Sequence, residues 1–87
     1  MNHDEFRAVA YRLGHHFAER LLRAGKDHEA IRLAMRDAQE RLKSLRAYSA
    51  TLDAMKRLGV EDALAGKPID RRYAAPGESR GGAGHRH

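Results

Sequence analysis

Chemistry in this chain has to start from one stretch, RLGHHFAERLLRAGKDHE at residues 12–29, which gathers His15, His16, Glu19 and His28. Neighbours on a helix point about 100° apart, so His15 and His16 cannot hold one ion from the same face. Helical metal pairs sit at i, i+3 or i, i+4. Only His15/Glu19 and His16/Glu19 have that spacing, which gives two ligands at most. Asp37 and Glu40 follow further on, beside a hydrocarbon seam that carries no inward carboxylate. With no cysteine, disulfides and thiolate zinc sites are excluded. The expectation is no metal and no cofactor.

Nucleophilic chemistry fares no better. Ser44, Ser49 and Ser79 have no histidine beside them, and GESRGG follows no strand and opens no helix, so it is no phosphate loop. An enzyme is not expected, with no catalytic residue to name. A cleft between two copies is the one place left for an active site. His16 falls with Arg12, Glu19 and Arg23 on a charged flank, whereas His15 lies with Tyr11, Ala18 and Leu22 on a weak second apolar stripe. That stripe reads as a contact with another protein.

The remaining candidate is a row of cations. Arg32, Arg36, Lys43 and Arg46 share an arc of roughly 80°, with Arg57 on the same line. Arg71, Arg72 and Arg80 follow near the C-terminus, with Tyr73 available for stacking. Such a row can track phosphates. It can equally be a solvated face, because Glu29/Arg32, Asp37/Arg41, Glu40 with Arg36 or Lys43, and Asp53/Arg57 all have ion-pair spacing. A DNA-reading helix–turn–helix fits poorly: Leu21 stands where a small residue is wanted, and the following helix is too long.

These residues need elements to position them. Phe6, Val9, Ala10, Leu13, Phe17, Leu21 and Ala24 recur at threes and fours, which predicts an amphipathic first helix. Asn2 with Glu5 suits a capping box, Gly25 a left-handed helix end, and Asp27 the cap of a second helix. The second helix is expected from His28 to about Leu58, stopping at Gly59. Its coiled-coil-like seam comprises Ile31, Met35, Ala38, Leu42, Leu45, Tyr48/Ser49, Leu52 and Met55. At ~1.5 Å per residue the two helices measure about 30 and about 45 Å. Tyr48, Leu52, Met55 and Leu58 then overhang the first helix. Either VEDALAG forms a short third helix bringing back Val60, Leu64 and Ile69, or another chain covers the overhang.

The fold class expected is therefore all-α: an antiparallel helical hairpin, short helix then long helix, with a short third helix. Residues 1–65 form this domain, and a homodimer completes a four-helix bundle. Residues 66–87 hold both prolines, five of the eight glycines and little large apolar side chain, and read as a flexible basic tail. The +5 net charge lies mostly there: five Lys/Arg against two Asp/Glu, compared with twelve against ten in residues 1–65. No run is apolar enough for a membrane span and the N-terminus is acidic rather than signal-like, so a cytoplasmic protein is expected. Thirteen arginines to four lysines suggest a GC-rich bacterial or phage genome.

Together these features predict a small non-enzymatic adaptor that dimerises and binds a partner protein through Tyr11, His15, Leu22, Tyr48, Leu52, Met55 and Leu58. A nucleic-acid-binding regulator using the basic row is the second expectation. A subunit of a larger phage or secretion assembly is the third.

Overall fold

A computed structural model describes residues 2–76 of the chain, and these form three α-helices with no strand among them. Helix α1 spans His3–Arg23, α2 spans His28–Ser44 and α3 spans Ala50–Leu64, followed by a 3₁₀ turn at Arg71–Tyr73. None of these helices is long and apolar enough to cross a membrane.

The helix ends follow local chemistry. Asn2 Oδ1 accepts the Glu5 N–H and Glu5 accepts the Asn2 N–H, both at 2.8 Å, closing the capping box. Asp27 accepts the Ala30 N–H at 2.8 Å and opens α2. Each helix ends on the same pair of backbone hydrogen bonds. Lys26 N–H donates to Leu21 O and Gly25 N–H to Leu22 O, and the pattern recurs at Ala47/Arg46 and at Lys67/Gly66. The position between helix and exit must then be left-handed, as at Gly25 with φ 85°.

Here the structure departs from the sequence-based expectation. The single helix expected over 28–58 is divided, because Arg46 takes the left-handed position with φ 58° although it is not glycine. That conformation costs on the order of 1–3 kcal/mol for such a residue. What offsets it lies just beyond. Ser49 Oγ caps α3 by accepting the Leu52 N–H at 3.3 Å, and the Tyr48 hydroxyl donates to Asp53 at 2.6 Å. Arg57 Nε donates to the same carboxylate at 2.6 Å. Burial alone would raise the Asp53 carboxyl, but the Tyr48 and Arg57 hydrogen bonds outweigh it and hold the group below its ordinary value.

With α3 folded back, no overhang exists. The expected short third helix at VEDALAG is instead the last part of α3, and Gly59, expected to stop a helix, lies inside one. Helix α3 packs along α1, and only there do two helices meet over their lengths. The buried residues of α1 are Ala10, Tyr11, Gly14, His15 and Ala18, and those of the facing half of α3 are Gly59, Val60, Ala63 and Leu64. Ala10, Gly14 and Ala18 are four apart, as are Gly59 and Ala63. A Cβ at residue 14 would overlap the Lys56 carbonyl, and one at residue 59 would overlap the Tyr11 carbonyl. The two backbones therefore touch directly.

This contact turns α1 by roughly 100° from the face its large apolar residues define. Leu13 is 55 % exposed and Phe6 50 %, while Tyr11 and His15 are almost wholly buried. Two hydrogen-bond sets explain the choice. The Tyr11 hydroxyl donates to Asp62 at 2.5 Å and accepts the Asp70 N–H at 3.1 Å; His15 Nε2 donates to the Lys67 carbonyl at 2.8 Å. Arg12 also donates to the Tyr73 carbonyl, and the Tyr73 ring lies 4.7 Å from that of Tyr11. So residues 67–73, expected in a flexible tail, lie along α1; residues 77–87 fall outside the described part.

Helix α2 is held mainly by its first half. Ile31 and Met35 join Ala18, Val60, Ala63 and Leu64 in the core, with Phe17, Leu21 and Leu22 packed around them. Gln39 is the last buried residue of α2. The assembly is thin, 15 Å in its smallest dimension against 47 Å in its largest. Helices lying in one layer leave a face without a second layer to cover it.

Candidate protein-binding cleft

The apolar stripe of α1 that α3 does not use meets the apolar stripe of α2 that the core does not use. Between them opens a cleft of about 340 Å³. Leu13 and Phe17 form one wall and Ala38, Leu42 and Leu45 the other, with Met35 at the base. Leu45, at the end of α2, is 68 % exposed, the highest value among the exposed large hydrophobic residues. Ordinary folding leaves isolated apolar residues at the surface. Here two of them, Leu13 and Leu45, stand on facing helix walls of one concavity.

The rim is basic. Arg20 stands on the α1 side, Arg41 on the α2 side, and Lys56 reaches in from α3. Lys56 Nζ donates to Gln39 Oε1 at 3.4 Å, which satisfies that buried amide oxygen. No carboxylate lines the cleft, and Arg20, Arg41 and Lys56 make no ion pair among the described residues.

The residues singled out from the sequence are dispersed. Tyr11 and His15, expected on a partner-facing stripe, are interior residues whose polar atoms serve the chain's own segments. Burial, then the hydrogen bond to Asp62, pushes the Tyr11 hydroxyl up from 10.0 to about 12. Leu22 packs on the core. Tyr48, Leu52 and Met55 are half-buried around the start of α3, and Leu58 is exposed. These four do not join Leu22 in one surface through an overhang, since there is none.

The basic row is largely neutralised within the chain. Arg32 grips Glu61 with two hydrogen bonds of 2.8 Å, which hold the Glu61 carboxyl below its ordinary value. Arg36 meets Asp37 at 3.3 Å, Lys43 meets Glu40 at 3.2 Å, and Arg57 meets Asp53 at 2.6 Å. Lys43 also sits 4.8 Å above the Tyr48 ring. Arg72 pairs with Asp70 and lies 5.2 Å from the Tyr73 ring, whose other neighbour is Tyr11. Arg46 and Arg71 are exposed, and Arg80 lies outside the described residues.

At the histidine pair, His15 Nδ1 and His16 Nδ1 each stand 3.5 Å from Glu19 Oε1. His15 Nδ1 is buried without a hydrogen-bond partner. Among the described residues no group of three or more His, Asp or Glu is placed to hold a metal ion.

The cleft residues missed from the sequence are Leu13, Phe17 and Leu45, which periodicity assigns to a core. The signal that competes with them is the Ala10–Gly14–Ala18 spacing, which marks where a second helix can approach most closely. Comparison with protein-family models, curated proteins and solved structures finds no match to this chain.

Proposed function

We propose that this chain is a small non-enzymatic binding module that engages a partner protein through the α1–α2 cleft. The observation that carries this reading is the position of the largest apolar side chains. Leu13 and Leu45 stand exposed on opposite walls of one concavity, while Tyr11 and His15 fill the interior. Apolar anchors in a concave patch, ringed by charge, are the usual energetic centre of a protein interface.

The homodimer expected from the sequence rested on the small size of the chain and the single core layer of a hairpin, with the overhang as a further contact, and α3 folding back removes only the overhang. A phosphate-tracking role draws less support, because Arg32, Arg36, Lys43 and Arg57 already meet carboxylates of the same chain. The test is capture by a photo-crosslinking residue placed at position 45 or, as a control, at position 36. The proposal expects a protein adduct from position 45 that Leu13→Asp abolishes, with none from position 36. Adducts at both positions, insensitive to Leu13→Asp, would contradict it.

A further inference from the structure

We infer that the occupant of the cleft is an acidic amphipathic helix from another protein, an assignment that rests on the binding-module reading above. Shape gives the first half of the argument. Leu13 and Phe17 lie one turn apart on α1, and Ala38, Leu42 and Leu45 lie on successive turns of α2, so the cleft is walled by one apolar stripe from each helix. A third helix laid in that cleft, with apolar residues at i, i+3, i+4 and i+7, touches both stripes and supplies the layer the fold lacks.

Charge gives the second half. Arg7, Arg32, Lys43, Arg57 and Arg72 each have a carboxylate within this chain. Arg20, Arg41 and Lys56 have none among the described residues, as is also true of Arg23, Arg46 and Arg71, but the first three are the ones that line the cleft, one from each helix. Glutamate or aspartate on the flanks of an incoming helix supplies the missing counter-charges, and sets its orientation and approach rate. A second copy of this chain docked cleft to cleft would bring the same cations against them. Residues 77–87, GESRGGAGHRH, offer no large apolar side chain and two arginines against one glutamate, so they do not match either. A phosphate backbone would satisfy the rim but leave the apolar walls uncovered.

The test uses the full chain and two labelled synthetic peptides of about 16 residues, long enough to form a helix. Both share one leucine seam; one carries glutamates on its flanks and the other lysines. Fluorescence anisotropy should show the acidic peptide binding about tenfold tighter or more, with the difference shrinking as salt rises. The Arg20→Glu, Arg41→Glu double variant should reverse the preference, and Leu45→Asp should lose both peptides while keeping its helical circular dichroism and urea midpoint. Equal binding of both peptides, or none, overturns the acidic-helix assignment. So does a dimer of the free chain, seen by sedimentation, that Leu45→Asp dissociates, because a second copy then fills the cleft. The position-45 crosslink separates the two failures. If it survives, the cleft is an interface for another chemistry; if it is lost as well, the binding-module reading falls too.

Discussion

Helix α1 has two neighbours and treats them in opposite ways. Towards α3 it presents alanine, glycine and two polar aromatic rings, and the backbones meet with no side chain between them. Towards α2 it presents leucine and phenylalanine, and a cleft stays open. Along α1, side-chain apolarity and burial have come apart, with Phe6 and Leu13 exposed and Tyr11 and His15 buried. On the α3 side close backbone approach goes with the hydrogen bonds of the Tyr11 hydroxyl and His15 Nε2, and on the α2 side Leu13 stays exposed.

The sharpest way to break that contrast is to add one methyl group on the closed side. In an ordinary helix interior Gly→Ala stabilises by about 1 kcal/mol. At Gly59 the new Cβ would strike the Tyr11 carbonyl, so Gly59→Ala should destabilise by about 2 kcal/mol or more in urea unfolding. Gly14→Ala should behave alike against Lys56. If either variant is more stable than the parent, the close approach is not there.

Tyr11→Phe removes both hydrogen bonds of a buried hydroxyl and should cost about 1–2 kcal/mol at neutral pH. It also carries a pH signature. The unfolded chain ionises this tyrosine near 10.0 and the folded chain near 12, so its contribution is intact below pH 10.0 and fades as pH rises towards 12. Melts of the parent and Tyr11→Phe should therefore converge over that interval.

Next comes Asp53→Asn, which weakens the Tyr48–Asp53–Arg57 set that pins the turn between α2 and α3, by about 1 kcal/mol. Since the folded Asp53 carboxyl lies below its usual 3.8, its contribution is present above that pH and lost as acid protonates it. The difference between parent and variant should accordingly narrow in acid unfolding. Arg32→Ala, which breaks an exposed pair with Glu61, should lower the urea midpoint less than Asp53→Asn does. Leu45→Asp should change stability by less than about 0.5 kcal/mol, because the side chain it removes is already in water.

Much of the fold was legible where local chemistry decides it. Asn2, Glu5, Gly25 and Asp27 announce the start and end of α1 and the start of α2, and each does what its type predicts. The break after Ser44 was not legible in the same way, since LRAYSATL contains neither proline nor glycine and Arg46 takes a conformation that glycine would mark. Ser49 four residues ahead of Asp53 was the available signal for a new helix, but Tyr48 and Ser49 also fit the running seam. The buried face of α1 departs from its hydrophobic stripe for a related reason. A hydrophobic stripe ranks residues by side-chain apolarity, whereas this interface selects them by smallness and by reach to Asp62, Asp70 and Lys67. The cleft follows from that choice, so it could not be seen until the partner helix of α1 was known.

Native-state hydrogen exchange of the free chain, repeated with the acidic peptide, tests the division between the two faces most directly. The slowest exchange is expected in Tyr11–Ala18 and Val60–Leu64, at the level of global unfolding, and much faster exchange in Arg41–Leu45. The peptide should slow Arg41–Leu45 selectively. Uniform protection in the free chain, or no response of Arg41–Leu45 to the peptide, would contradict that division.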